Sequence, residues 1–99
     1  MNPPKKVYPT WEESQATQRA RVEQELASWR GSDVNKLIAH FGPPTSTYAM
    51  PNGDAMYTFF VSRTLPGLGF NFECARNYLV NKSSNLITNT SYQGCVLPF

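Results

Sequence analysis

Hydrophobic and polar positions along this chain change period once, near its middle. Before residue 43 the apolar side chains recur at helical spacing. After residue 44 they alternate. In the first part, residues 11–29 are rich in Glu, Gln, Ala and Arg, all good helix formers. Thr10 and Glu13 have the spacing of a capping box, with Pro9 before it. Val22, Leu26 and Trp29 form the apolar stripe of this helix. Higher up, the same face carries Gln15, Gln18 and Arg19, with Trp11 alone at the start. Those first turns are weakly anchored: they fray in solvent, or they dock on a partner through Trp11. Gly31 ends the helix. Ser32 is expected to cap a second, short one, in which Val34, Leu37, Ile38 and Phe41 stand at i, i+3, i+4 and i+7. Gly42 suits a left-handed stop, and Pro43 and Pro44 forbid continuation.

From there the pattern predicts an antiparallel meander. TSTYAM (45–50) reads as a strand, PNGD (51–54) as a tight turn, and AMYTFFVS (55–62) as the strand that pairs back. Tyr57, Phe59 and Val61 share one face of that strand, and Met56 and Phe60 share the other. Such a strand is covered on both sides, or covered on one and adhesive on the other. RTLPGLG (63–69) reads as a loop. FNFECARNYLV (70–80) is a strand whose even positions, Phe70, Phe72, Cys74, Tyr78 and Val80, are apolar except for Arg76. NKSSN (81–85) is a polar turn, LITNTSY (86–92) the last strand, and QGCVLPF the end. The expected class is α+β: two N-terminal helices packed on a three- to four-stranded antiparallel meander, in one domain over 10–99 behind a Pro/Lys leader, 1–9.

Composition narrows the function. Ninety-nine residues hold one modest core, supplied by six Phe, five Tyr and two Trp. The net charge is +2, and its basic residues are scattered from Lys5 to Lys82 rather than gathered on a face. That argues for solubility and against a nucleic-acid partner. No apolar run is long enough to span a bilayer. MNPPKK carries a positive pair with no apolar stretch behind it, so the sequence as it stands shows no signal peptide. Two alternatives follow: a cytoplasmic chain, or a mature segment whose export signal has been removed.

The two cysteines bear on that choice. One His and two Cys cannot furnish the roughly four ligands of a structural zinc site. Cys74 and Cys95 are either two separate buried thiols or one disulfide of an oxidising compartment. If Val80 stands opposite Leu86, Cys74 faces Tyr92, and a chain turning at Gly94 brings Cys95 back over the strand end. The disulfide is the expectation taken forward.

Other residues invite chemistry and are more simply explained without it. Glu12, Glu13, Glu23 and Glu25 are spread along a solvated helix face. His40, the single histidine, suits a helix C-terminus as a cation. Cys74 lies among apolar neighbours, where a thiol nucleophile is not expected. Arg76 is the oddest residue. Either it snorkels or pairs with Glu73 or Asp54, or it is a partner-facing charge on an aromatic sheet. Leu65, Pro66, Leu68, Val96, Leu97, Pro98 and Phe99 lie in a loop and a tail, where they cover the core's open edge or mark a docking site. No catalytic, cofactor-binding or metal site is expected. Leu65, Pro66, Leu68, Arg76, Val96, Leu97 and Phe99 form the candidate partner-binding set.

A short helix running into FGPP before a first strand, SDVNKLIAHFGPPTSTY, and a last hairpin, NYLVNKSSNLITNTSY, together resemble the small bacterial outer-membrane lipoproteins of the SmpA/OmlA (BamE-like) family. The likeness covers about residues 31–92. A PNG turn, an aromatic strand, Cys74-x-x-x-Tyr78 and Gly94-Cys95 are also similar to small exported proteins of the same fold. The first helix is longer here than in that family, and no lipid-accepting Cys stands at the start. The resemblance implies a non-enzymatic accessory protein, in the periplasm or on the periplasmic face of the outer membrane of a Gram-negative bacterium. It would bind another protein of an envelope complex and meet the membrane only through a lipid anchor since removed. The same fold class includes modules of β-lactamase inhibitor proteins. A small inhibitor or immunity-type protein that blocks one enzyme is therefore the alternative.

Overall fold

The computed structural model describes residues 11–67 and 69–97, with side chains from Ser14 onward. The leader, the Thr10–Glu13 box, the Trp11 side chain, Leu68, Pro98 and Phe99 lie outside the described residues. Two helices precede a four-stranded antiparallel sheet: α1 (Trp11–Trp29), α2 (Val34–Phe41), β1 (Ser46–Ala49), β2 (Ala55–Leu65), β3 (Phe70–Val80) and β4 (Ile87–Gly94), with the strands side by side in chain order. This is the expected α+β arrangement.

Both helices lie on one face of the sheet. The core is Val22 and Leu26 from α1, Val34 and Leu37 from α2, Cys74, Tyr78 and Val80 from β3, Ile87 from β4, and Cys95. Leu37 and Tyr78 are wholly buried. The apolar parity of β3 is thus the face that the helices cover, as alternation requires. Trp29, Phe41, Phe59 and Tyr78 continue the core as a chain of ring contacts, with centroids 5.6–5.8 Å apart. Phe60 of β2 is on the opposite face and 45% exposed, next to the row formed by Tyr48, Met56 and Leu79. Among the described residues, no element covers that face.

Three local expectations are corrected. Asp33, not Ser32, is the N-cap of α2: its carboxylate accepts from the Asn35 amide at 2.8 Å. Ser32 is held elsewhere. Its carbonyl accepts from the Ile87 amide at 2.9 Å, beside a Gly31 amide donating to the Ile87 carbonyl at 2.7 Å. The joint between the helices is therefore stitched to β4. Second, β2 continues to Leu65 where a loop was expected from 63, because Arg63, Thr64 and Leu65 pair with Phe72, Asn71 and Phe70. Third, the last hairpin is shifted. Val80 faces Ile87, Thr88 is an extra residue in the ladder, and Cys74 faces Gly94 rather than Tyr92. The bulge shifts every pair beyond it by one residue. Gly42 ends α2 at φ +83°, as a glycine stop requires, but with extended ψ (−169°) rather than the left-handed helical value.

Candidate protein-binding surface

The chain end is fixed where β3 begins to be covered. Cys74 and Cys95 form a disulfide with Cα atoms 4.1 Å apart. Gly94, at φ +72°, turns the chain so that the Cys95 amide donates to the Glu73 carbonyl at 2.8 Å. A Cβ at Gly94 would run into that same carbonyl. Gly94→Ala is accordingly expected to destabilise by about 2 kcal/mol or more, through the clash and the left-handed backbone. Chemical denaturation of the single variant measures it. Beyond the bridge, the Leu97 amide donates to Gln18 Oε1 at 2.8 Å, and the Leu97 carbonyl accepts from Gln15 and Gln18 at 3.4 Å. The glutamines that interrupt the apolar stripe of α1 thus hold the tail.

Arg76 sits opposite Phe59 on β2 and Tyr92 on β4, on the helix-covered face. Its guanidinium meets Glu25 of α1 at 3.7 Å. This corrects the expected pairing with Glu73 or Asp54. Glu73 has the opposite strand parity and points away, and Asp54 accepts from the Lys82 amide at the far turn. Glu25, expected on a solvated helix face, is the partner the structure supplies. The signal that finds it is the combination of an arginine on a buried parity and a glutamate next to Leu26 in the buried stripe of the covering helix. With both partners partly exposed, the pair contributes at most about 1 kcal/mol. Arg76 Nε is buried without a hydrogen-bond partner among the described residues, as is the Tyr78 hydroxyl. Burial pushes the Tyr78 hydroxyl up to about 12, with Arg76 opposing and Glu25 reinforcing the shift.

Arg76 also lines a groove of about 240 Å³ whose walls are Phe41, Pro43, Thr45, Phe59, Phe60, Val61 and Cys74. A second groove, about 300 Å³, lies between α1 and β4, lined by Glu23, Leu26, Arg30, Thr90, Ser91 and Tyr92. It is partly spanned by hydrogen bonds from Tyr92 to Glu23 at 3.1 Å and from Arg30 to Thr90 at 3.1 Å. Burial and the Glu23 carboxylate raise the Tyr92 hydroxyl above its ordinary value.

The first groove opens at the root of an arm. β1 pairs with β2 only from Ala55 to Thr58, and β4 pairs with β3 only from Cys74 onward. Residues 62–65 and 70–73 therefore pair only with each other as strands, the Cys95 amide adding one bond to the Glu73 carbonyl at the root. Leu65 is half-buried on this arm and Pro66 is exposed at its tip. Val96 and Leu97 are half-buried, and Leu97 is hydrogen-bonded to α1. Arg76 pairs six positions back along β2 from Leu65, which is about 20 Å of strand. The sequence-predicted set is thus divided into the arm, the Arg76 groove and the tail. Val61, Phe60 and Arg63, which belong to the first two, were not in it. The signal for them was the two-sided apolar pattern of β2.

His40 packs near the end of α2, tilted against Trp29 and edge-on to Phe41, with ring centroids 5.5 and 4.5 Å away. Neither cysteine is free, and the described residues contain no group of three His, Cys, Asp or Glu placed to hold a metal. No described helix is long and apolar enough to cross a membrane. No family model, no curated protein and no solved structure matches this chain.

Proposed function

We propose that this is a non-enzymatic accessory protein of a Gram-negative envelope, working in the periplasm or at the periplasmic face of the outer membrane by binding another protein of an envelope complex. The observation that carries the binding reading is the arm. β2 and β3 run past both neighbours, and the stretch where β1 stops presents Phe60 and Val61, 45% and 43% exposed, around the Arg76 groove. Large apolar side chains held out on a hydrogen-bonded ribbon favour a protein partner, because docking removes their area from water. The compartment is supported by the Cys74–Cys95 bridge, since such bonds persist outside reducing cytosol. The resemblance to the SmpA/OmlA (BamE-like) lipoproteins points the same way.

The test is a photo-crosslinking residue at Val61, introduced in the native host, with the crosslinked product identified by mass spectrometry. A protein of an outer-membrane or other envelope assembly is the expected product. A lone soluble enzyme, inhibited one-to-one by the purified chain, would replace this reading with the inhibitor class. A cytosolic product, or no product, would overturn it.

A further inference from the structure

β1 stops before β2 does. Along β2, alternate backbone groups face β1: the Thr58 carbonyl accepts from the Thr45 amide at 2.8 Å, and the Phe60 amide donates to the Thr45 hydroxyl at 2.9 Å. That hydroxyl in turn donates to the Phe60 carbonyl at 3.4 Å. Thr45 is the last described residue that hydrogen-bonds to this edge. The same parity turns the amides and carbonyls of Ser62 and Thr64 outward. No strand pairs with them among the described residues. Unpaired strand edges of this kind template one more strand.

What lies beside the edge states the chemistry of that strand. On the helix side is the groove walled by Phe41, Pro43, Phe59 and Val61, in which Arg76 is the one charged lining residue. Arg63 follows Val61 on the same face, opposite Phe72, and makes no ion pair among the described residues. The carboxylate of Glu73 is no counter-charge to it, because Glu73 pairs with Ser62 and shares the opposite face. Arg76 is already paired with Glu25 of α1, so the groove side of the edge is apolar with one uncompensated positive charge, Arg63.

Resting on the binding reading above, we infer that the partner adds an extended segment to β2 at Ser62–Thr64. Its alternate side chains on the groove side are apolar, with a carboxylate set against Arg63. Backbone pairing supplies attachment, and the groove supplies selectivity. A second copy of the chain is opposed by charge. Antiparallel pairing of two such edges about Ser62 would place two Arg63 side chains as diagonal neighbours on one face, with no carboxylate between them.

Short random peptides displayed on phage are selected against the full chain, and enriched sequences are measured by fluorescence anisotropy against Ser62→Pro and Arg63→Glu variants. The expected sequences alternate apolar residues with Asp or Glu. Their binding weakens about tenfold in Ser62→Pro, the equivalent of one backbone hydrogen bond. Arg63→Glu, an exposed charge change that leaves the fold intact, abolishes the acidic preference. Exchange of the Ser62 and Thr64 amides slows when a synthetic enriched peptide is added. Enriched sequences without acidic residues would overturn the inference. So would undiminished binding to a folded Ser62→Pro, or edge protection that grows with protein concentration alone, the mark of a second copy. If an envelope protein crosslinks at Val61 but binds both variants as it binds the parent, the edge inference fails and the binding reading stands. Absence of any crosslinked partner removes the reading itself.

Discussion

Replacing Cys74 and Cys95 together by serine lowers the stability of the fold by about 3 kcal/mol, and reduction of the parent protein does the same. The bridge closes a loop of 21 residues. In the chain-entropy account, a loop of that size removes about 3 kcal/mol worth of freedom from the unfolded chain. A domain with a total margin of about 5–15 kcal/mol feels that as a large share. The loss has a local component too. Cys95 is buried beside Cys74, and among the described residues the segment beyond it is hydrogen-bonded through Gln15 and Gln18 to Leu97. Without the bridge, the segment after Gly94 is expected to detach first, exposing the first turns of α1 and the start of the covered part of β3. Urea denaturation with and without reductant measures the global effect. Hydrogen exchange at Cys95 and Leu97 measures the local one. Equal midpoints in the two conditions would show that the link constrains nothing.

Tyr78→Ala is expected to be at least as damaging, costing about 3–5 kcal/mol, in the range of buried aromatic truncations. Tyr78 is wholly buried in the middle of β3, and its ring meets Phe59 edge-on at 5.6 Å. Removing it opens a cavity under both helices. Tyr78→Phe should behave oppositely, leaving stability unchanged or raising it by about 1 kcal/mol. The hydroxyl it deletes has no partner among the described residues, and burial of an unpaired polar group is unfavourable. The two variants also separate at high pH. The folded hydroxyl titrates at about 12, above its ordinary value of 10.0, because burial penalises the anion. A folded value raised in this way means that the stabilising contribution is complete below pH 10. It is lost as pH rises from about 10 through about 12. Alkaline melting should therefore fall steeply over that interval for the parent and less steeply for Tyr78→Phe. Parallel curves for the two proteins would show that another group governs alkaline unfolding.

The parts of the fold that depend on near neighbours were legible in the chain. α1 from 11 to 29, the short helix α2 with its Gly42-Pro43-Pro44 stop, the PNG turn and the whole of β3 match the periodicities that predict them. So does the side of β3 that faces inward, since alternation leaves only two choices and the aromatic parity decides between them. The disulfide was open to inference because a hairpin with a known turn restricts which residues can meet.

The corrections share a cause. Ser32 and Asp33 are both good caps, and the choice between them was made by Ile87, more than fifty positions away, which takes the Ser32 carbonyl. The reach of β2 depends on β3 offering Phe70, Asn71 and Phe72 as partners. The Thr88 bulge, not the turn alone, sets Cys74 against Gly94. Arg76 found Glu25 only once a helix had been laid across the strand. By itself, then, the sequence determined which segments are helix or strand, which face of each is apolar, and which two sulfurs can join, because propensity, capping and period act over a few residues. Tertiary structure alone decided register, the length of the arm, the counter-ion of Arg76 and the open β2 edge. Each of these is a pairing between distant groups, set by which backbone and charged atoms remain unsatisfied after the local elements have formed.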